Sequence, residues 1–159
     1  MYDKEKKIAS LLVSLGHRAL LLPQTAMAEI VRQPKVVGFA GGEDWQLGYM
    51  DWRGIRIPVM DLELLCGEFN PDTGLLQAVV LHAIKEARVD FYAFVTAKIP
   101  RPVRVAAEDL AWVEEPDACS IVAASVLFRE RIKTGEDKEE IREQELVIPD
   151  LLGLERHVG

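Results

Sequence analysis

Short apolar runs, each closed by a turn signal, follow one another along most of this chain. The clearest pattern spans residues 45–67, WQLGYMDWRGIRIPVMDLELLCG. Met50 and Trp52 fall on one face with Tyr49 and Asp51 on the other, and Ile55, Ile57 and Val59 share a face beyond them. A period of two marks strands with one buried side. Arg53-Gly54 separates the two arms, and Gly supplies the positive φ that a two-residue hairpin turn needs. Asp61 is placed to cap a short leucine-rich helix, and Gly67 to stop it. The stretch predicts strand, tight turn, strand and helix, with Arg53 held out at the tip.

The remaining segments extend this reading in both directions. Residues 8–15 and 18–22 predict a hairpin about Gly16-His17, ended by Pro23, which has no N–H for a ladder. A single helical turn is expected over 23–28 and a strand over 29–32. Residues 33–44, with Pro34, Gly38, Gly41 and Gly42, predict a surface loop; neither spacing of a phosphate-binding glycine loop is present. The turn-rich stretch 68–74 divides the chain, and 75–84 predicts a strand rich in β-branched and apolar residues. After a polar turn at 85–87, Val89, Phe91, Ala93 and Val95 form one face of a strand whose other face carries Tyr92 and Phe94, implying burial on both sides. Pro100 and Pro102 break it, leaving an edge-like piece at 103–105, a helical turn at 107–110 and a short segment at 111–114. A turn at 115–117 precedes a strand over 120–128. The charged run 129–145, RERIKTGEDKEEIREQE, reads as either a solvated excursion or a short helical insertion. A strand resumes over 144–148, and Pro149-Asp150 introduces a second helix at 151–154. Residues 57–65 (IPVMDLELL) and 147–155 (VIPDLLGLE) echo one another, each a strand, Ile-Pro, an acidic residue and a leucine-rich turn. Short strands at close spacing point to sandwich or barrel architecture. The expected arrangement is a single domain, 1–159, with subdomains at about 8–67 and 75–154.

Composition narrows the function classes. Hydrophobic residues make up 49% of the 159 positions, enough for a real core. A formal charge of −7 opposes general nucleic-acid binding and docking by charge to anionic membrane. The apolar run near the N-terminus is too short to span a bilayer. Cys66 and Cys119 form no CxxC pair and no dense disulfide framework. A reducing cytoplasm is the plain expectation, with both thiols as packing groups; a single disulfide remains open.

Candidate chemistry is sparse. Asp51, Asp61 and Glu63 surround the hairpin, so a small metal-dependent β-barrel enzyme using these acids is the alternative to a binding protein. His17, His82 and His157 stand singly, and no HExxH or GxSxG motif occurs. Trp45, Trp52 and Trp112 default to core positions, while any exposed one becomes an anchor for a partner. Arg53 is open to two readings, a charged tip that keeps a hairpin soluble or a contact residue.

Residues 47–67 resemble the hallmark segment of CheW-like domains: a Gly, an apolar strand, an Arg-Gly turn, a Pro-bearing strand, then Asp-Leu and a leucine-rich helix. Residues 11–32 (LLVSLGHRALLLPQTAMAEIVR) are similar to that family's opening hairpin and Glu-Ile strand, and residues 87–110 to the start of its second subdomain. The resemblance implies a mainly β fold of two intertwined, five-stranded SH3-like barrels with short helices, and no enzyme activity or cofactor. It implies an adaptor that couples chemoreceptor cytoplasmic tips to the regulatory domain of a CheA-type histidine kinase. Arg53 and Gly54 match the family's Arg-Gly turn, and Glu29 and Ile30 its Glu-Ile pair. With Trp52, these form the expected protein-contact set; no catalytic, metal or cofactor residue is expected. A receptor helical hairpin would pack in the groove between subdomains. Asp51-Trp52 before the turn, the glycine-rich 33–44 loop and the charged 129–145 run depart from the family pattern. They motivate the expectation of a divergent adaptor, serving type IV pili or another surface behaviour.

Overall fold

The structure, a computed structural model, describes residues 6–38, 41–68, 77–85 and 87–158. Eleven strands are described: β1 (Ile8–Ser14), β2 (Ala19–Pro23), β3 (Met27–Arg32), β4 (Gln46–Trp52), β5 (Ile55–Met60), β6 (Gln77–His82), β7 (Phe91–Thr96), β8 (Arg101–Val105), β9 (Leu110–Trp112), β10 (Val122–Lys133) and β11 (Glu139–Pro149). Helix α1 (Leu62–Leu65) follows β5 and α2 (Leu151–Val158) follows β11, with 3-10 turns at Gln24–Ala26 and Ala107–Asp109. The expected linker lies, beyond Glu68, outside the described residues, as do residues 75 and 76 and part of the 85–87 turn.

The strands form two sheets, in the orders β8-β1-β2-β11-β10-β9 and β3-β6-β7-β5-β4. The fold is mainly β, and two SH3-like subdomains fit it, one sheet having six strands rather than five and neither closing into a continuous barrel. Both sheets draw on both halves of the chain. Strands β1 and β2 lie with β8–β11, while β6 and β7 lie between β3 and β5. Pro23 and the 3-10 turn after it carry the chain from one sheet to the other.

This interleaving explains apolar runs such as LLV, ALLL, AVVL and YAFV, which do not alternate. Leu11, Val13, Leu20 and Leu22 point into a core between the sheets, where they meet Met60, Val79, Leu81, Tyr92 and Phe94. The alternate residues of the same strands face inward within each sheet. Leu12, Ala19 and Leu21 join Val126, Phe128 and Leu146 in one sheet; Ala78, Val80, Ala93 and Val95 join Trp52, Ile57 and Val59 in the other. Strands buried on both faces lose the period-two pattern.

The sequence echo is structural. In each case a strand running parallel to its neighbour, β5 beside β7 and β11 beside β2, leads into an aspartate-capped helix. Asp61 Oδ1 accepts from the Leu64 N–H at 3.2 Å, and Asp150 Oδ1 from the Gly153 N–H at 3.0 Å. The second helix runs past the expected 154 to Val158.

Two expectations are corrected. Of the two readings of the 129–145 run the helical insertion is ruled out: the run is solvated, and β10 and β11 continue through it as an antiparallel arm in unbroken register from Ala124↔Ile148 to Lys133↔Glu139. Opposite charges face each other across the arm, with Arg129 2.9 Å from Glu143, so cross-strand pairing replaces core burial. The cysteines are not separate packing groups: Cys66 and Cys119 are joined by a disulfide.

Gly48 makes one packing requirement explicit. Its φ is +139°, and a Cβ there would land on the backbone carbonyl of Val37. Val37 and Tyr49 exchange backbone hydrogen bonds of 2.8 and 2.9 Å across this contact. Gly48→Ala is expected to cost about 2 kcal/mol, read by urea denaturation, because both the dihedral and the close approach are lost.

Candidate protein-contact site at the first hairpin tip

The β4–β5 turn is a two-residue connection in which Trp52 pairs with Ile55. Both central residues have positive φ, +49° at Arg53 and +79° at Gly54, matching the primed turns that follow the twist of a hairpin. Nothing crowds Gly54. Holding an arginine in the left-handed region costs on the order of 1 kcal/mol, a conformation that Asn would enter more easily. Such a residue, kept at a tip, motivates a functional reading.

The neighbours Trp52 and Arg53 meet Glu29, which lies 23 residues before Trp52 in the chain. Trp52 is 6% exposed, with its ring centroid 4.7 Å from that of Phe91 and its body among Ile57, Val59, Val80 and Val95. Its indole N–H donates to Glu29 Oε2 at 3.1 Å. Arg53 lays its guanidinium over the same ring, 4.7 Å from the centroid, and donates to Glu29 Oε1 at 2.9 Å. One carboxylate thus uses one oxygen for each partner. The Arg53 and Glu29 side chains stay 64% and 40% exposed.

Glu29 reaches this point because its sheet curls. Strands β3 and β4 are the two ends of the strand order, yet Glu29 on β3 touches the end of β4. A bulge between Met27 and Glu29 shifts the register of β3 against β6. The seam between these edges is bridged by the Glu29 bonds at one end and the Val37–Tyr49 pair further along. A groove of about 450 Å³ follows it, lined by Val31, Pro34, Lys35, Val37, Tyr49 and Arg56 among others. Ile30, the neighbour of Glu29, is half-buried and pairs with Val79.

The hydrogen bond from Arg53, followed by that from Trp52, holds the Glu29 carboxyl below the ordinary glutamate range. A lowered folded pKa gives stabilisation that is fully present above the unfolded value of about 4.3 and is lost as pH falls through the folded value. In an NMR titration Glu29 is expected to protonate below the ordinary glutamate range. Arg53→Ala is expected to move its midpoint back up. Coincident midpoints in wild type and variant would remove the pairing.

The acids expected as an alternative site do not converge on Asp51. Asp51 lies 3.6 Å from Arg56 at the surface, Asp61 caps α1, and Glu63 points at Arg18. Ligand-type atoms of His17, Glu63 and Glu68 do lie within 4.8 Å of one another. A cation already serves this cluster: Arg18 lies 3.4 Å from Glu63, 2.9 Å from Glu68 and 2.6 Å from Asp117.

Two features went unseen in the sequence. Arg18 and Asp117 are 99 residues apart, with no local pattern linking them. Trp112, expected in the core, is 78% exposed on the edge strand β9; its acidic neighbours Glu108, Asp109, Glu114 and Glu115 were the available signal. Trp45 is half-buried and meets His157 of α2 edge-on at 5.8 Å.

No curated protein sequence matches the chain. The solved structure of the scaffolding protein TtCheW from Thermoanaerobacter tengcongensis is similar in fold, with a TM-score of 0.67 at 12% identity over 91% of this chain and 90% of that one. No described helix is long and apolar enough to cross a membrane. The profile of the CheW-like domain matches residues 9–132, which include the hairpin tip, the Glu29 strand and every strand of the five-stranded sheet. By that match, the chain belongs to the CheW-like domain family.

Proposed function

We propose that this protein is a non-enzymatic cytoplasmic adaptor in bacterial chemosensory signalling, joining chemoreceptor cytoplasmic domains to the regulatory domain of a CheA-type histidine kinase. Glu29, Ile30, Trp52, Arg53 and Gly54 form the contact site. Family membership supports the adaptor class, and one observation carries the site: an exposed arginine fixed in a left-handed turn and clamped between an indole face and a carboxylate. Arg53 is therefore preorganised, so less side-chain freedom is lost when a partner binds. Trp52 acts from beneath as the platform, and Glu29 sets the direction of the guanidinium. The groove along the β3–β4 seam offers apolar Val37 and Tyr49 to an amphipathic helix of a receptor.

The −7 charge and the absence of a described spanning helix fit a protein recruited through such contacts rather than by nucleic acid or by insertion in a bilayer. The Asp51-Trp52 pair favours a divergent partner, in an array serving type IV pili or another surface behaviour. Co-purification from the native cell tests the reading: wild type is expected to elute with a CheA-type kinase and Arg53→Glu without it. Elution of both variants alone would contradict it.

The platform role gives a separate expectation. Trp52→Phe keeps an aromatic face but loses the N–H to Glu29, leaving that carboxylate with Arg53 alone. Partner affinity is expected to fall about three- to tenfold, the scale of one ordinary net hydrogen bond, measured by calorimetry.

A further inference from the structure

The Cys66–Cys119 bond joins the C-terminal end of α1 to the loop between β9 and β10, with Cα atoms 5.3 Å apart across 53 residues of sequence. The same two segments are joined a second time without covalent chemistry. Arg18 holds Glu63 and Glu68 on the α1 side and Asp117 on the loop side, the latter through two hydrogen bonds of 2.6 and 3.1 Å. Asp117 in turn fixes the loop around the cysteine. Its Oδ1 accepts from the Cys119 N–H at 3.0 Å, and its own N–H donates to Ser125 Oγ at 3.0 Å. The Cys119 carbonyl accepts from the Val122 N–H. The ion cluster therefore joins the two cysteine-bearing segments through contacts that do not involve the sulfurs. Both cysteines are half-buried at the edge of the core rather than enclosed within it.

We propose that Cys66–Cys119 is a reversible redox clamp between α1 and the β9–β10 loop, closed by a small disulfide such as glutathione disulfide and opened by the corresponding thiol, with the protein folded in both states. Closing proceeds by attack of one cysteine thiolate on the small disulfide, which forms a mixed disulfide and releases one small thiol. The second cysteine thiolate then attacks the protein-side sulfur, forming the Cys66–Cys119 bond and releasing the second small thiol. Two electrons pass from the protein to the small disulfide, and the two cysteine protons end on the released thiols. Opening is the reverse. The open form leaves the Arg18 cluster as the remaining clamp, so losing Arg18 lets the two reduced segments part and makes closing harder.

The experiment equilibrates the full chain in glutathione buffers of graded ratio, then counts free thiols by mass spectrometry after alkylation. Thermal melts and circular dichroism are recorded at each end. Expected are a complete, reversible exchange between no free thiols and two, unchanged circular dichroism, and a melting temperature roughly 5–10 °C lower when reduced. The Cys66→Ser/Cys119→Ser protein is expected to ignore the buffer and to melt with the reduced form. Arg18→Gln is expected to need a more oxidising buffer to close. Thiols that stay free at every ratio, identical melts at both ends, or loss of the fold on reduction would each overturn the clamp. Should Arg18→Gln fail to fold, the wild-type titration alone decides between these outcomes.

Discussion

Arg18→Met is expected to destabilise the protein by about 3 kcal/mol, the low end of the range for removing one partner from a buried charge cluster. Methionine keeps the stem packed but leaves three carboxylates without their cation. Their exposures decide the size of the effect. Glu68 and Asp117 are 40% and 22% exposed and can rehydrate, whereas Glu63 is 1% exposed and cannot. Glu63 keeps one compensation, the His17 backbone N–H at 3.0 Å. Burial already pushes its carboxyl above the ordinary range, against the pull of that N–H and of Arg18. The Arg18 hydrogen bond pulls Asp117 below the ordinary range.

The pH dependence follows from those opposite directions. Asp117 stabilises the wild type above its unfolded value near pH 3.9, and that contribution is lost as pH falls through the lowered folded value. Glu63 has a raised folded pKa, so its contribution is present below the unfolded value and is lost as pH rises. Without Arg18 the cost of an ionised Glu63 grows, and acid relieves it. The stability difference between wild type and Arg18→Met is therefore expected to narrow between about pH 5 and pH 3. Urea melts at several pH values measure this. A constant gap would place the effect in packing rather than charge.

The second large effect concerns recognition. Arg53→Glu is expected to weaken partner binding at least about 30-fold, the scale of a hot-spot arginine, while changing stability by about 1 kcal/mol. The stability term is small because the Arg53 and Glu29 side chains are both solvent-exposed, so water screens their pair and the guanidinium that lies on Trp52. The binding term is large because the substitution removes the guanidinium and sets a second carboxylate against Glu29. Arg53→Lys separates charge from shape: lysine keeps the cation but not the planar fork, so an intermediate loss is expected.

The hairpin that carries this residue was legible from sequence because every signal in it is local. Alternation gave the arms, Arg53-Gly54 the turn, and Asp61 and Gly67 the limits of α1. The interleaving of the sheets was not legible. Runs such as ALLL and YAFV are apolar on both faces and so do not say which strand lies beside them. The arm of β10 and β11 failed for the opposite reason. Both its faces are largely exposed, so no apolar period exists, and its cross-strand charges pair only once the register is known. Arg53 entered from the hairpin pattern itself and Glu29 through family resemblance. That they share one carboxylate with Trp52 follows from the curl of the first sheet, which brings its two edge strands together.

The adaptor reading rests most directly on binding to the regulatory domain of a CheA-type kinase from the same cell, titrated by calorimetry with the wild-type protein and with Arg53→Glu. Saturable binding of the wild type, weakened at least about 30-fold in the variant while its melt stays close to wild type, is the predicted result. Equal affinity of the two proteins, or no binding by either, would contradict the account.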